Sequence, residues 1–508
     1  MNTLHFSVPF NKKAIVLASS LTVLAACGGG GGGGDTPAPT GSQNPSTTVN
    51  ITDEQAKAAA EKGLAKGLSG GIEKMQTVMK ATSADNAMAE SVAPEAVTAV
   101  QLLEGGHTTN NGSRTGVVDQ TQTAFTAFLG TATRSGDVIT YTPDAQAVCS
   151  ETGVENILNL LSGSGSATGS SSTASRQLIT NSTTQTDAKC TDLVKHITLV
   201  QTLTSETTGT LAYKFDSFSP LLVGYAADSS YFQLNLADLK GALEAGAAIT
   251  DPQTPPALPN MSGSLRLAET DNSATKSTLT LSVPDAITIN GALDGQAVNL
   301  NMAQTAKLVE LTGDTATNEA SIEFAMNAIN LVAPLADPSH VDHPSEFNMA
   351  GLTGLIKIAA TTDTVTVTNL GLNGQPLTLK IDGNDALRLT MNTLSMTTLG
   401  STKTTTLNSA LDFSLSFDNL IQWWSATLPA ATKGTLAITA PVNTEIAVID
   451  NTVIGSLSSK ITSGGPLTLT GTGVFAGNLS LNSGACFTDA DHTAAGGVGL
   501  PITAAACP

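Results

Sequence analysis

Strict alternation of apolar and polar residues governs the C-terminal half of this chain. Leu377, Leu379 and Ile381 fall on one side of an extended segment, with Thr378, Lys380 and Asp382 on the other. Leu411, Phe413, Leu415 and Phe417 alternate in the same way with Asp412, Ser414, Ser416 and Asp418. A period of two is that of a pleated strand; a helix would scatter these residues around its circumference. Asp294-Gly295, Asn373-Gly374 and Asp382-Gly383 read as hairpin turns, because Asp, Asn and Gly tolerate positive φ. One apolar face, one polar face and short turns specify antiparallel sheet buried on a single side. Such a face needs cover. The expected fold is mainly β with a small N-terminal helical region, its antiparallel sheets forming a sandwich or a long curved meander.

The alternating blocks recur. Gly263–Ala268 resembles Gly354–Ala359, and Gly434–Ile438 is a third copy. Asp294–Leu300 answers to Asn373–Leu379, and Ile322–Met326 to Leu411–Leu415. The matches keep their order at spacings of 79 to 91 residues, so internal repeats are expected to build residues 262–508. Asp251–Pro259 is dense in proline, which stops both helices and central strands, and residues 251–261 read as a linker.

Before the linker the chain divides again. Residues 51–106 read as helical, opened by Thr52-Asp53-Glu54-Gln55, a capping box that serves the first orphan amides. Residues 107–250 read as a β-rich domain with strands at Ile197–Leu203, Thr210–Phe215 and Tyr231–Leu236. Cys149 and Cys190 flank the low-complexity run Gly163–Ser175. Cys486 and Cys507 are close together near the other end. Pairing each with its near neighbour gives two local staples, worth about 3–4 kcal/mol apiece by loop-closure entropy. None of the four has the CxxC spacing of a zinc or redox site.

An N-terminal address makes those disulfides plausible chemistry. Lys12-Lys13 precedes the apolar run Ala14–Ala26, which ends in small residues, and residues 1–26 therefore read as a secretory signal. Leu24-Ala25-Ala26-Cys27 resembles the lipobox of bacterial lipoproteins. The resemblance implies acylation at Cys27, cleavage before it, and anchorage by several acyl chains. Residues 27–50 form a Gly/Pro/Ser/Thr tether that begins with the unbroken run Gly28–Gly34. It is similar to the tethers of surface-displayed lipoproteins of the transferrin-binding and factor-H-binding types. With Gly28 rather than aspartate after the lipidated cysteine, the resemblance implies the outer membrane of a Gram-negative cell, facing periplasm or cell surface.

Net charge of −19 and a pI near 4.6 oppose nucleic acid and anionic lipid surfaces as partners. Charged residues are only 13% of the chain, so Thr, Ser, Asn and Gly must cover the surface.

Chemistry-bearing constellations are few. Gly67-Leu68-Ser69-Gly70-Gly71 matches the nucleophile-elbow pattern but sits in a helical stretch, where the elbow needs a strand before the serine. His340, Asp342, His343 and Glu346 make the only dense group of metal-ligand types, in a loop bracketed by Pro338 and Pro344. Asp382–Asp385 resembles part of a calcium loop but reads better as a hairpin, and Asp489–His492 is a weaker candidate. Trp423 and Trp424 follow an amphipathic strand and either plug the sheet core or contact a partner. No cofactor is expected. The leading expectation is a non-enzymatic, lipid-anchored envelope protein with a binding or structural role, attached to the membrane through its lipid and free to engage a protein. The alternatives are a carrier of lipid or another hydrophobic ligand on a curved sheet, and a secreted hydrolase.

Overall fold

The computed structural model describes residues 51–60, 130–145, 191–250, 258–293, 296–335, 343–418, 433–451, 456–473, 475–489 and 502–505. The fold is mostly antiparallel β-sheet with few helices, as the alternation requires. It divides into two compact units, the boundary falling between Leu281 and Ser282, inside a long strand.

The first unit is a meander in sequence order: β1 (Thr131–Ser135), β2 (Val138–Thr142), β3 (Ile197–Leu203), β4 (Gly209–Phe215), β5 (Phe218–Tyr225), β6 (Ser229–Asn235) and β7 (Asn260–Asp271). Each strand pairs antiparallel with the next. Ile139, Tyr141, Leu199, Leu203, Leu211 and Val223 form its core. A short helix over residues 53–60, α1, lays Ala56 on that core. Its capping box is formed as the sequence predicts: the Thr52 amide donates to Gln55 Oε1 at 2.8 Å, and the Gln55 amide to Thr52 Oγ1 at 3.2 Å. Gln201 is wholly buried among the apolar residues of β3. It accepts from the Tyr141 hydroxyl at 2.6 Å and donates to the Ala56 carbonyl at 2.9 Å, fastening α1 to the sheet. A second helix, α2 (Leu236–Thr250), packs Ala242, Ala245 and Ile249 against Ile197 and Phe215.

The second unit begins in β8 (Lys276–Leu293). Its strands fall into two hydrogen-bonded ladders. The first ladder runs β9 (Gln296–Met302), β12 (Ile329–Leu335), β13 (His343–Met349), β16 (Leu377–Ile381), β17 (Asn384–Met391), β20 (Leu411–Asp418), β21 (Lys433–Ala440), β24 (Leu467–Gly473) and β25 (Gly477–Leu481), with the end of β8 beside β9. The second runs β10 (Thr305–Asp314), β11 (Glu319–Met326), β14 (Leu352–Ala359), β15 (Thr364–Leu372), β18 (Leu394–Leu399), β19 (Thr404–Leu407), β22 (Glu445–Asn451), β23 (Ser456–Ser463), β26 (Cys486–Asp489) and β27 (Ile502–Ala505).

The chain turns back within one ladder, crosses to the other in two to four residues, and turns back again. Each crossing therefore joins two short strands into one long bent strand, and the crossings line up as a seam. Main-chain and side-chain bonds hold it. The Ala303 amide donates to the Ala328 carbonyl at 3.0 Å, and Asn392 donates from its amide to the Asp412 carbonyl and from Nδ2 to the Asp412 carboxylate. Near the seam the apolar faces of the two ladders share one core, with Leu407 and Ile461 from the second meeting Ala440, Leu467, Leu469 and Leu481 from the first. Within the second unit the chain is a meander folded along this seam, which joins the two arrangements expected from sequence.

Two local expectations change. Asn373-Gly374 is not a hairpin: it lies on the seam between β15 and β16, where Gly374 at φ 70° serves a crossing instead of a reversal. Asp382-Gly383 is one, with Ile381 opposite Asn384 and φ of 50° and 77° at the two turn residues. The repeated blocks do not keep their ladder, since Ile322–Met326 lies in the second and Leu411–Leu415 in the first. Alternation marks a strand's faces and is blind to which ladder the strand joins.

Candidate functional site

The inner face of the first ladder presents an unbroken apolar row. Register places Ile289 opposite Leu300, Leu300 opposite Leu331, and Leu331 opposite Phe347. The row continues through Leu379 and Leu387 to Phe417. It crosses seven strands, about 30 Å at the usual strand spacing. A neighbouring row runs Leu377, Leu389, Leu415 and Leu436. Apart from Ile289, these side chains are half-buried. In the second ladder, Ile358, Val365 and Val367 are only 4–6% exposed. Half-buried positions occur on the second ladder's inner face as well, at Leu311, Ile356 and Met396, and buried Met349 and Ile381 flank the row of the first.

Polar chemistry lies on the outer face. Lys307 is held by Glu310 at 2.9 Å and Glu323 at 3.0 Å. Burial alone would lower its ammonium, but the two carboxylates outweigh that and hold it above the ordinary lysine value. Across the first ladder Asn301, Asn330 and Asn348 stand opposite one another on β9, β12 and β13. Asn330 Nδ2 donates to Asn348 Oδ1, and Asn348 Nδ2 donates to Glu346 Oε1 at 2.7 Å.

The residues singled out from sequence are only partly placed. Cys27, Ser69, Cys149, Cys190, His340, Asp342, Trp423, Trp424 and Cys507 lie outside the described residues. His343 and Glu346 stand on β13 rather than in a loop, because the β12–β13 hairpin extends its pairing to Leu335 opposite His343. Glu346 is half-buried and committed to Asn348. Among the described residues no cluster of three or more His, Cys, Asp or Glu side chains has metal-binding geometry. Cys486 is 1% exposed on β26. It stands opposite Ala505, two positions before Cys507.

Sequence reasoning missed the asparagine row and the Gln201 fastening. Both leave a signal. Gln201 is in phase with Ile197, Leu199 and Leu203, so alternation alone puts an amide on the core face. Asparagine is a poor strand former, yet it recurs at the outward phase of neighbouring strands.

No family model, no characterised protein and no solved structure matches this chain significantly.

Proposed function

We propose that this chain is a non-enzymatic, lipid-anchored protein of the outer membrane whose folded meander holds a hydrophobic ligand along its inner face. The carrying observation is the half-buried row from Leu300 to Phe417. A finished protein interior is packed to crystal density and leaves such side chains no solvent. A contiguous, partly open apolar surface is instead what ligand-holding sites present. Of the carrier and the purely structural readings, this strip favours the carrier. The register of β26 on β27 supports a Cys486–Cys507 staple, and Cys149–Cys190 is kept as its counterpart in the first unit.

The test is direct. Protein purified from its native membrane is extracted with solvent and the extract analysed by mass spectrometry, and uptake of a fluorescent fatty acid is measured in parallel. Co-purified lipid and saturable uptake are expected, both sharply reduced in Leu387→Glu with the fold retained by circular dichroism. Absence of lipid and of uptake in the wild type would sink the proposal.

A further inference from the structure

Around the seam end of the first ladder lies a trough with a cavity of about 620 Å³, whose lining also includes Ile287, Met302, Ile329 and Met349, in phase with the inner-face row. Its wall is a transverse row of hydroxyls and amides supplied by five successive strands: Thr288, Asn301, Asn330, Asn348 and Thr378. Beside that row, Ala303, Ala328 and Ala350 are exposed and form a methyl floor at the seam. None of the residues lining the trough is charged, in a protein of net charge −19.

We propose that this trough is a binding site for a neutral, extended oligosaccharide. Each asparagine offers both a donor and an acceptor, which is what a sugar hydroxyl, itself donor and acceptor, requires. The carboxamides are held in place before any ligand arrives. Asn330 bonds to Asn348, Asn348 to Glu346, and Asn301 donates to Asn299 at 2.9 Å. Strand spacing repeats the pattern every 4.7–4.9 Å or so across the ladder, which suits a polymer and not a single small solute. The alanine floor leaves flat apolar surface for the C–H faces of sugar rings. Charge stands beside the row rather than in it: Glu346 holds Asn348, and Lys380 is opposite Glu346 on β16.

The placement of asparagine strengthens the argument. Thr, Val or Ile would suit these strand positions better, so three register-matched asparagines run against local preference. Local conflict of that kind marks functional positions. The competing account is an amide ladder that only stabilises the sheet. The two accounts predict opposite results for replacement by threonine.

The experiment uses the full-length mature protein in detergent, with cellohexaose and chitohexaose as probes and an uncharged Gly/Ser hexapeptide as control. Saturation-transfer NMR and titration of the wild type are expected to show weak, saturable binding of at least one oligosaccharide and none of the peptide. The triple variant N301T/N330T/N348T is expected to bind roughly tenfold or more weakly, the loss of a few hydrogen bonds. It should melt no lower than the wild type, since threonine favours strands. Leu387→Glu, on the other face, should leave sugar binding unchanged, so this site stands or falls separately from the apolar strip. No sugar binding by the wild type, equal binding of the peptide, or a triple variant that binds normally but melts lower would each overturn the proposal.

Discussion

At the scale of single residues, the first unit shows what alternation reveals and what it hides. The strand Ile197–Leu203 was legible residue by residue, because its apolar positions repeat every second place. The role of Gln201 was not, since its partners come from three distant stretches: Ala56, Tyr141 and Tyr225. Contacts across such separations have no local signature. Tyr213 makes a testable case of the same kind. Burial raises its phenol from 10.0 to about 12. In the unfolded chain the phenol ionises near pH 10, while in the folded protein it stays neutral until about pH 12. Between those values the unfolded state binds fewer protons, so stability falls as pH rises through the window. A shift of this size corresponds to roughly 2–3 kcal/mol lost by its upper end. Chemical denaturation followed from pH 9 to 12 should show the loss, and Tyr213→Phe should flatten most of it. An unchanged slope in that variant would assign the alkaline instability to other groups.

At the scale of elements, strands and turns were read well where the signal is local. The Asp382-Gly383 hairpin is one case and the Thr52–Gln55 capping box another, and each is satisfied within four residues. Helix α2 shows how packing overrides propensity. Gly241 and Gly246 both lie inside it, and replacing an interior helical glycine by alanine gains about 1 kcal/mol in an isolated helix. Their surroundings differ. A Cβ at Gly241 would come 2.2 Å from the Phe218 ring, far inside contact distance, whereas at Gly246 the nearest atom is Leu193 Cδ2 at an ordinary 3.5 Å. Overpacking of the first kind costs about 1–3 kcal/mol, enough to exceed the propensity gain. Gly241→Ala should therefore lower the denaturation midpoint and Gly246→Ala should raise it. If both variants were stabilised, the close seating of α2 on β5 would be wrong.

At the scale of the whole molecule, the fold class was readable and the folding of the meander was not. Alternation says that each strand has an inner and an outer face, and short polar breaks say where strands end. A hairpin and a seam crossing are built from the same residues, as Asn373-Gly374 shows, so sequence cannot separate a chain that reverses from one that bends onward. The seam is settled by pairing between strands far apart in sequence, such as β19 with β22 and β23 with β26. The proposed attachment rests on different grounds, the Leu24-Ala25-Ala26-Cys27 tetrapeptide and the glycine tether after it. Several acyl chains at ~0.8 kcal/mol per buried CH₂ would hold the protein to a bilayer without any spanning segment. Among the described residues no helix is long and apolar enough to cross a membrane. If the lipid is the anchor, Cys27→Ala should abolish metabolic labelling with a palmitate analogue. The variant should either accumulate with its signal uncut or appear in the soluble fraction. Full membrane attachment of the unlabelled variant would show that something other than acylation at Cys27 holds the protein.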